Sequence, residues 1–199
     1  MITQEQLNRS ISYPQYTALL QTLLEQGKTT GHDQSEEKIG FARINIQRMA
    51  RLDKTVQLTE ETKTALHKVK GEFIWLLLTE GWCGDTSQNI PVMHAMEKEC
   101  PQLSLRLIMR DDNPDIMDQY LTNGARSIPK LVCLKKTTLE EMFTWGPRPA
   151  PVQAMVMDLL KNGVSKEEKG LKVQQWYNTD KTLSLQKELT ALATQYMLG

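Results

Sequence analysis

The chain has no long apolar run. Its longest, Phe73-Ile74-Trp75-Leu76-Leu77-Leu78, is six residues, far short of the roughly 20 that a membrane helix needs. No membrane partner is therefore expected. There is no excess of either charge: Lys+Arg and Asp+Glu are both 24, and the formal net charge is zero. That argues against a nucleic-acid partner held by a generally basic surface. Cysteine is scarce and unpaired. Cys83, Cys100 and Cys133 form an odd set with no close pair, which argues against the structural disulfides of an oxidising compartment. His32, His67 and His94 are scattered, and no spacing matches a Cys/His zinc site, so no metal or other cofactor is expected. The N-terminus, Met1-Ile2-Thr3-Gln4-Glu5-Gln6, lacks a basic stretch followed by an apolar one, and the expected location is the cytoplasm.

What is present divides into three stretches. Residues 1–70 read as a helical extension. Tyr16, Leu19, Leu20, Leu23 and Leu24 recur at three- and four-residue steps, and Gly27 closes that helix. A second helix is expected from Ser35 to about Leu52, and a third starts at Thr59 with Glu60 and Glu61 in its first turn. From residue 71 to 162 the pattern changes. Phe73–Leu78 reads as a strand buried on both faces. A helix from about Thr86 to Lys98 follows, then strand Leu103–Met109, helix Pro114–Leu121, strands Lys130–Leu134 and Glu141–Trp145, and a helix after Pro149. The order β-α-β-α-β-β-α predicts an α/β class fold with a mixed β-sheet flanked by helices. Residues 163–199 form a second extension: a charged connector with a short helix over 164–180, then a last helix carrying Leu185, Leu189, Leu192 and Tyr196.

The chemistry concentrates at Trp82-Cys83-Gly84-Asp85-Thr86, directly after the first strand. A cysteine at a strand-to-helix turn packs poorly and attacks well. Unpaired amides and the positive end of the helix dipole face its sulfur, which favours thiolate over thiol. The plain alternative is a small buried hydrophobe. A free thiol titrates near ~8.5, and this placement is expected to lower that value, with Asp85 opposing the drop. Thr86 falls one helical turn after Cys83, so its hydroxyl either stabilises the thiolate or is a relic of lost chemistry. Cys100 lies about 25 Å along the helix and Cys133 about 13 Å into a strand, whereas a disulfide needs Cα atoms within about 7 Å. Both read as core. Gly27-Lys28-Thr29 lacks the preceding glycine and strand of a phosphate loop, since Thr22 stands there. Asp111-Asp112 reads as a helix cap rather than a metal pair.

Trp82-Cys83-Gly84, with the distant Ile128-Pro129, resembles the thioredoxin superfamily, whose signature is Trp-Cys-Gly-Pro-Cys plus a remote cis-proline. The helical N-terminal stretch and Asp85 are similar to a bacterial thioredoxin-like subfamily carrying Trp-Cys-Gly-Asp-Cys. Thr86 then stands where the resolving cysteine belongs, and the dithiol becomes a single thiol. The resemblance implies a thioredoxin-like fold over 71–162, a cis bond at Pro129 and a kink at Pro91. It implies a catalytic role for Cys83, beside which Thr86 is the second candidate through its hydroxyl, with Trp82, Gly84, Asp85, Ile128 and Pro129 contacting substrate. The family's buried acid is replaced by Leu77.

The expected activity is single-thiol disulfide exchange, as an isomerase or mixed-disulfide reductase, on protein disulfides or low-molecular-weight thiol adducts. Cys83 is expected to be partly exposed for that purpose. The alternative is a redox-inactive binding module of the same fold. An iron–sulfur carrier like the single-thiol glutaredoxins would need Cys-Gly-Phe-Ser, which Trp82 and Asp85 do not fit.

Overall fold

The structure is a computed structural model, and it describes residues 1–198. Four helices come first: α1 Gln4–Asn8, α2 Tyr13–Glu25, α3 Glu36–Thr55 and α4 Glu60–Leu66. Each starts at a residue whose side chain accepts a backbone N–H: Thr3, Ser12, Ser35 and Thr59. This is the local chemistry that starts a helix. At Thr3 and Ser12 the third residue, Gln6 or Gln15, reaches back to complete a capping box.

A four-stranded sheet follows in the order β2-β1-β3-β4. Its strands are β1 Phe73–Thr79, β2 Leu103–Met109, β3 Lys130–Lys135 and β4 Glu141–Trp145. β1 and β2 run parallel, while β1/β3 and β3/β4 are antiparallel. Helix α5 (Gly84–Glu99) makes the crossover that a parallel pair requires. All seven residues of β1 are buried, as its unbroken apolar run predicts. Alternate side chains serve opposite faces. Phe73, Trp75 and Leu77 join a core with Tyr16, Met49, Met93 and Leu189. Ile74, Leu76 and Leu78 join another with Leu7, Ile116, Met117 and Cys83. The outer edge of β2 is partly covered by the N-terminal segment, where Ile11 and Leu107 exchange backbone hydrogen bonds of 2.8 Å.

Three more helices complete the described chain, α7 Ala150–Lys161, α8 Lys166–Asp180 and α9 Leu183–Tyr196, with the short α6 Pro114–Met117 between β2 and β3. Helices α4 and α9 meet. Thr62 and Thr190 share a 2.9 Å hydroxyl hydrogen bond, and the Thr59 amide donates to Gln186. No helix among the described residues is long and apolar enough to cross a membrane.

Two expectations are corrected. The helix expected over Pro114–Leu121 stops at Met117. Beyond it, Gln119 and Tyr120 donate to carbonyls three residues back, and the Tyr120 hydroxyl donates to Glu141 at the sheet. The switch to three-residue steps tightens the chain and ends the α-helix there. Residues 166–180, read as connector plus short helix, form one continuous helix. Ser165 caps it by accepting the Glu168 amide, and Glu167 and Glu168 suit its dipole.

Candidate functional site

β1 ends at Thr79, and Glu80-Gly81-Trp82 turns the chain into α5, with the Cys83 amide donating to the Glu80 carbonyl at 3.1 Å. Cys83 is the N-cap of α5, in extended conformation, and its side chain makes no capping bond. The sulfur is left to face the segment that leads into β3. Its Sγ–H donates to the Ile128 carbonyl at 3.4 Å, and the Ile128–Pro129 bond is cis. The structure thus brings Cys83, Ile128 and Pro129 together. A cleft of about 320 Å³ opens beside them, with Trp82, Gly84 and Ser127 in its wall.

A second loop completes the corner. Gly146 has φ +117°, and a Cβ there would collide with the Pro129 carbonyl. Only glycine allows β4 to end so close to β3. The loop then delivers Arg148, whose guanidinium pairs with the Asp85 carboxylate at 2.6 Å. The Tyr177 hydroxyl, from α8, donates to Asp85 at 3.1 Å and accepts from Asn89 at 3.2 Å. Asp85 is therefore engaged by protein groups on two sides.

This arrangement corrects the expected electrostatics of the thiol. Cys83 is 8% exposed rather than partly open, and its pKa is raised rather than lowered. Burial is the larger cause and the Asp85 charge the second, while the Thr86 hydroxyl and amide and the Arg148 charge pull it back down. The helix terminus does favour thiolate, but desolvation outweighs it. Thr86 Oγ1 makes no hydrogen bond of its own while the neutral thiol donates to Ile128. Its free hydroxyl is the donor that an ionised sulfur would use. Asp85 is also pushed up by burial, against the pull of Arg148, Tyr177 and Arg48.

Gly84 is not demanded by space, since a Cβ there meets only the Arg48 guanidinium at 3.9 Å. Two cations lie against the Trp82 ring: Lys38 Nζ is 3.4 Å from its centroid and Arg110 Cζ 4.8 Å. Pro91 lies inside α5. Cys100 and Cys133 are fully buried and free. Burial drives Cys133 to about 12. Leu77 leaves the family's acid position apolar, yet another carboxylate is buried nearby. Glu80 is 0% exposed, accepts the Asp111 amide at 2.8 Å, and is shifted upward by burial. Among the described residues no group of three or more His, Cys, Asp or Glu is placed to hold a metal ion.

Arg148, Tyr177, Arg48, Lys38 and Glu80 escaped the sequence reading. Gly146-Pro147-Arg148-Pro149, one arginine between two prolines, was the mark available for the first of them. Tyr177 carries no positional signal at all.

A strand-turn-helix thiol opposite a cis-proline on a mixed four-stranded sheet defines a thioredoxin-type protein. A sequence profile of the family described as Thioredoxin matches residues 31–169, and the chain belongs to that family. No curated protein matches its sequence. Two solved structures share the fold. A protein of unknown function from Pseudomonas aeruginosa superposes with a TM-score of 0.63 at 15% identity, over 96% of this chain and 97% of that one. An HIV epitope-scaffold superposes with a TM-score of 0.56 at 16% identity, over 92% and 97%.

Proposed function

We propose that the chain is a single-thiol disulfide exchanger working through Cys83. The observation that carries this is the placement of the Cys83 sulfur at the N-cap of α5, against the Ile128 carbonyl and in the wall of an open cleft. The Cys83 thiolate attacks one sulfur of a substrate disulfide. The substrate S–S bond breaks, its electron pair leaves with the second sulfur as thiolate, and a mixed disulfide forms on Cys83. An external thiolate, or the substrate's own second thiol, then attacks that mixed disulfide. Cys83 is released reduced, and the protein undergoes no net oxidation. Thr86 cannot perform this release, because its hydroxyl is no nucleophile toward disulfides. Its amide and hydroxyl favour the ionised sulfur. The raised thiol makes the resting protein a slow nucleophile at neutral pH and a faster one as pH rises.

The second reading, a redox-inactive module that holds a partner in the same groove, is favoured by the burial of Cys83 and its upward shift. One pair of assays separates the two. Wild type should form and release mixed disulfides with small-thiol adducts, yet fail to reduce insulin when driven by a dithiol-dependent reductase. Thr86→Cys, which restores a second thiol on the first turn of α5, should gain insulin reduction. Catalytic insulin reduction by wild type overturns the single-thiol mechanism. Absence of any exchange in both forms overturns the exchange reading and leaves the binding module as the better one.

A further inference from the structure

We infer that the cleft beside Cys83 selects small disulfides whose thiol fragments carry carboxylates. The covalent half rests on the exchange reading above, whereas the recognition half stands on the cleft alone. Five cations line it: Lys38, Arg110, Arg126, Arg148 and Lys166. They come from well-separated parts of a chain whose net charge is zero, so the fold has concentrated them around one thiol. Asp85 is the single carboxylate in the lining, and Arg148 already holds it.

The partners of the other cations stand outside the lining. Arg110 pairs with Asp111 at 2.6 Å, Arg126 with Asp118 at 2.7 Å and Lys166 with Glu37 at 2.5 Å. The last two pairs are exposed, and exposed pairs open at little cost. A ligand carboxylate arriving from the cleft can therefore take over one face of either cation. Lys38 has no carboxylate partner among the described residues. Its ammonium rests on the Trp82 ring at 3.4 Å, beside the residue that precedes the nucleophile. The cavity volume is at the lower end of small-ligand sites, which suits a fragment of a few residues at most. A carboxylate on that fragment meets the cations while its sulfur meets Cys83.

The dianion thiodipropionate, a thioether that cannot exchange, tests recognition without chemistry. In low salt it should shift the backbone amide signals of Trp82–Asp85 in the wild-type protein. The neutral bis(hydroxyethyl) sulfide should not, and high salt should abolish the shift. The corresponding disulfides test selection. Dithiodipropionate should modify Cys83 about tenfold faster than bis(hydroxyethyl) disulfide, with the dication cystamine slower still. Lys38→Glu combined with Arg126→Glu, both at the rim, should remove or reverse that order. Exchange with no charge preference overturns the anion site and leaves the exchange reading intact. Amide shifts with thiodipropionate but no exchange with any disulfide uphold the anion site and overturn the exchange reading. Equal shifts with both thioethers, or none with either, overturn the anion site.

Discussion

Cys83 and Cys133 are both enclosed, and burial raises both thiols, but the two regions treat them differently. Cys133 sits in the middle of β3, paired across the sheet with Trp75 and Phe143, 0% exposed. Only the neighbouring Trp75 side chain is set against its desolvation, without a hydrogen bond to the sulfur, and the thiol rises to about 12. Cys83 sits where β1 becomes α5. There the Thr86 amide, the Thr86 hydroxyl and Arg148 all oppose burial, and Asp85 reinforces it. One region is a packed interior that happens to contain sulfur. The other is a thiol whose charge is contested by named polar groups at the edge of a cleft. Burial alone therefore does not separate an inert cysteine from a usable one. The separation comes from the groups that would meet the thiolate once it formed.

The widest gap between the two regions should be in alkylation. Brief iodoacetamide treatment at neutral pH should label Cys83 about a hundredfold faster than Cys133 or Cys100, because those two need local opening first. Peptide mass spectrometry reads the ratio, and equal labelling would erase the distinction.

Alkaline stability comes next. The folded pKa of Cys133 lies above its unfolded value of about 8.5. Its contribution to stability is therefore fully present below that pH and lost as pH climbs toward about 12. Between pH 8.5 and 10.5 the loss amounts to roughly 2 kcal/mol. Urea midpoints of wild type and Cys133→Ala over that window should diverge in slope, the variant losing less. Parallel curves would show that Cys133 does not feel the desolvation assigned to it.

A smaller effect isolates the corner around Cys83. Asp85→Asn removes the negative charge that raises the thiol while leaving Arg148 beside it. The Cys83 pKa should drop, and alkylation at neutral pH should accelerate by up to about tenfold. A pH titration of the labelling rate checks this. An unchanged or higher midpoint would show that Arg148 and Tyr177 already cancel Asp85.

The parts legible in the sequence were those written in contiguous residues. Phe73–Leu78 announced a strand because both of its faces are buried, so no polar residue interrupts it. The cysteine at the strand-helix junction was equally plain, whereas the pairing of that junction with Ile128-Pro129 came from the family resemblance alone. The electrostatics of the site were not legible. They depend on Arg148, placed by the Gly146 turn, and on Tyr177, brought in by α8. Local pattern does not report such distant arrivals. Helix α8 itself was underread because Tyr177 is its one buried residue, which leaves little apolar periodicity to see. Its signal was the Ser165 cap followed by two glutamates. Glu80, directly after β1, reads locally as an ordinary turn carboxylate, because its burial and its bond from the Asp111 amide come from a distant part of the chain.

The central claim is that Cys83 alone forms and releases a mixed disulfide. Its most direct test is to incubate reduced wild-type protein with excess glutathione disulfide at pH 8, quench with acid, and map the adduct by intact-mass and peptide mass spectrometry. A single glutathione adduct on Cys83, removed on adding free thiol, is the predicted result. No adduct, or adducts spread equally over Cys83, Cys100 and Cys133, would contradict it.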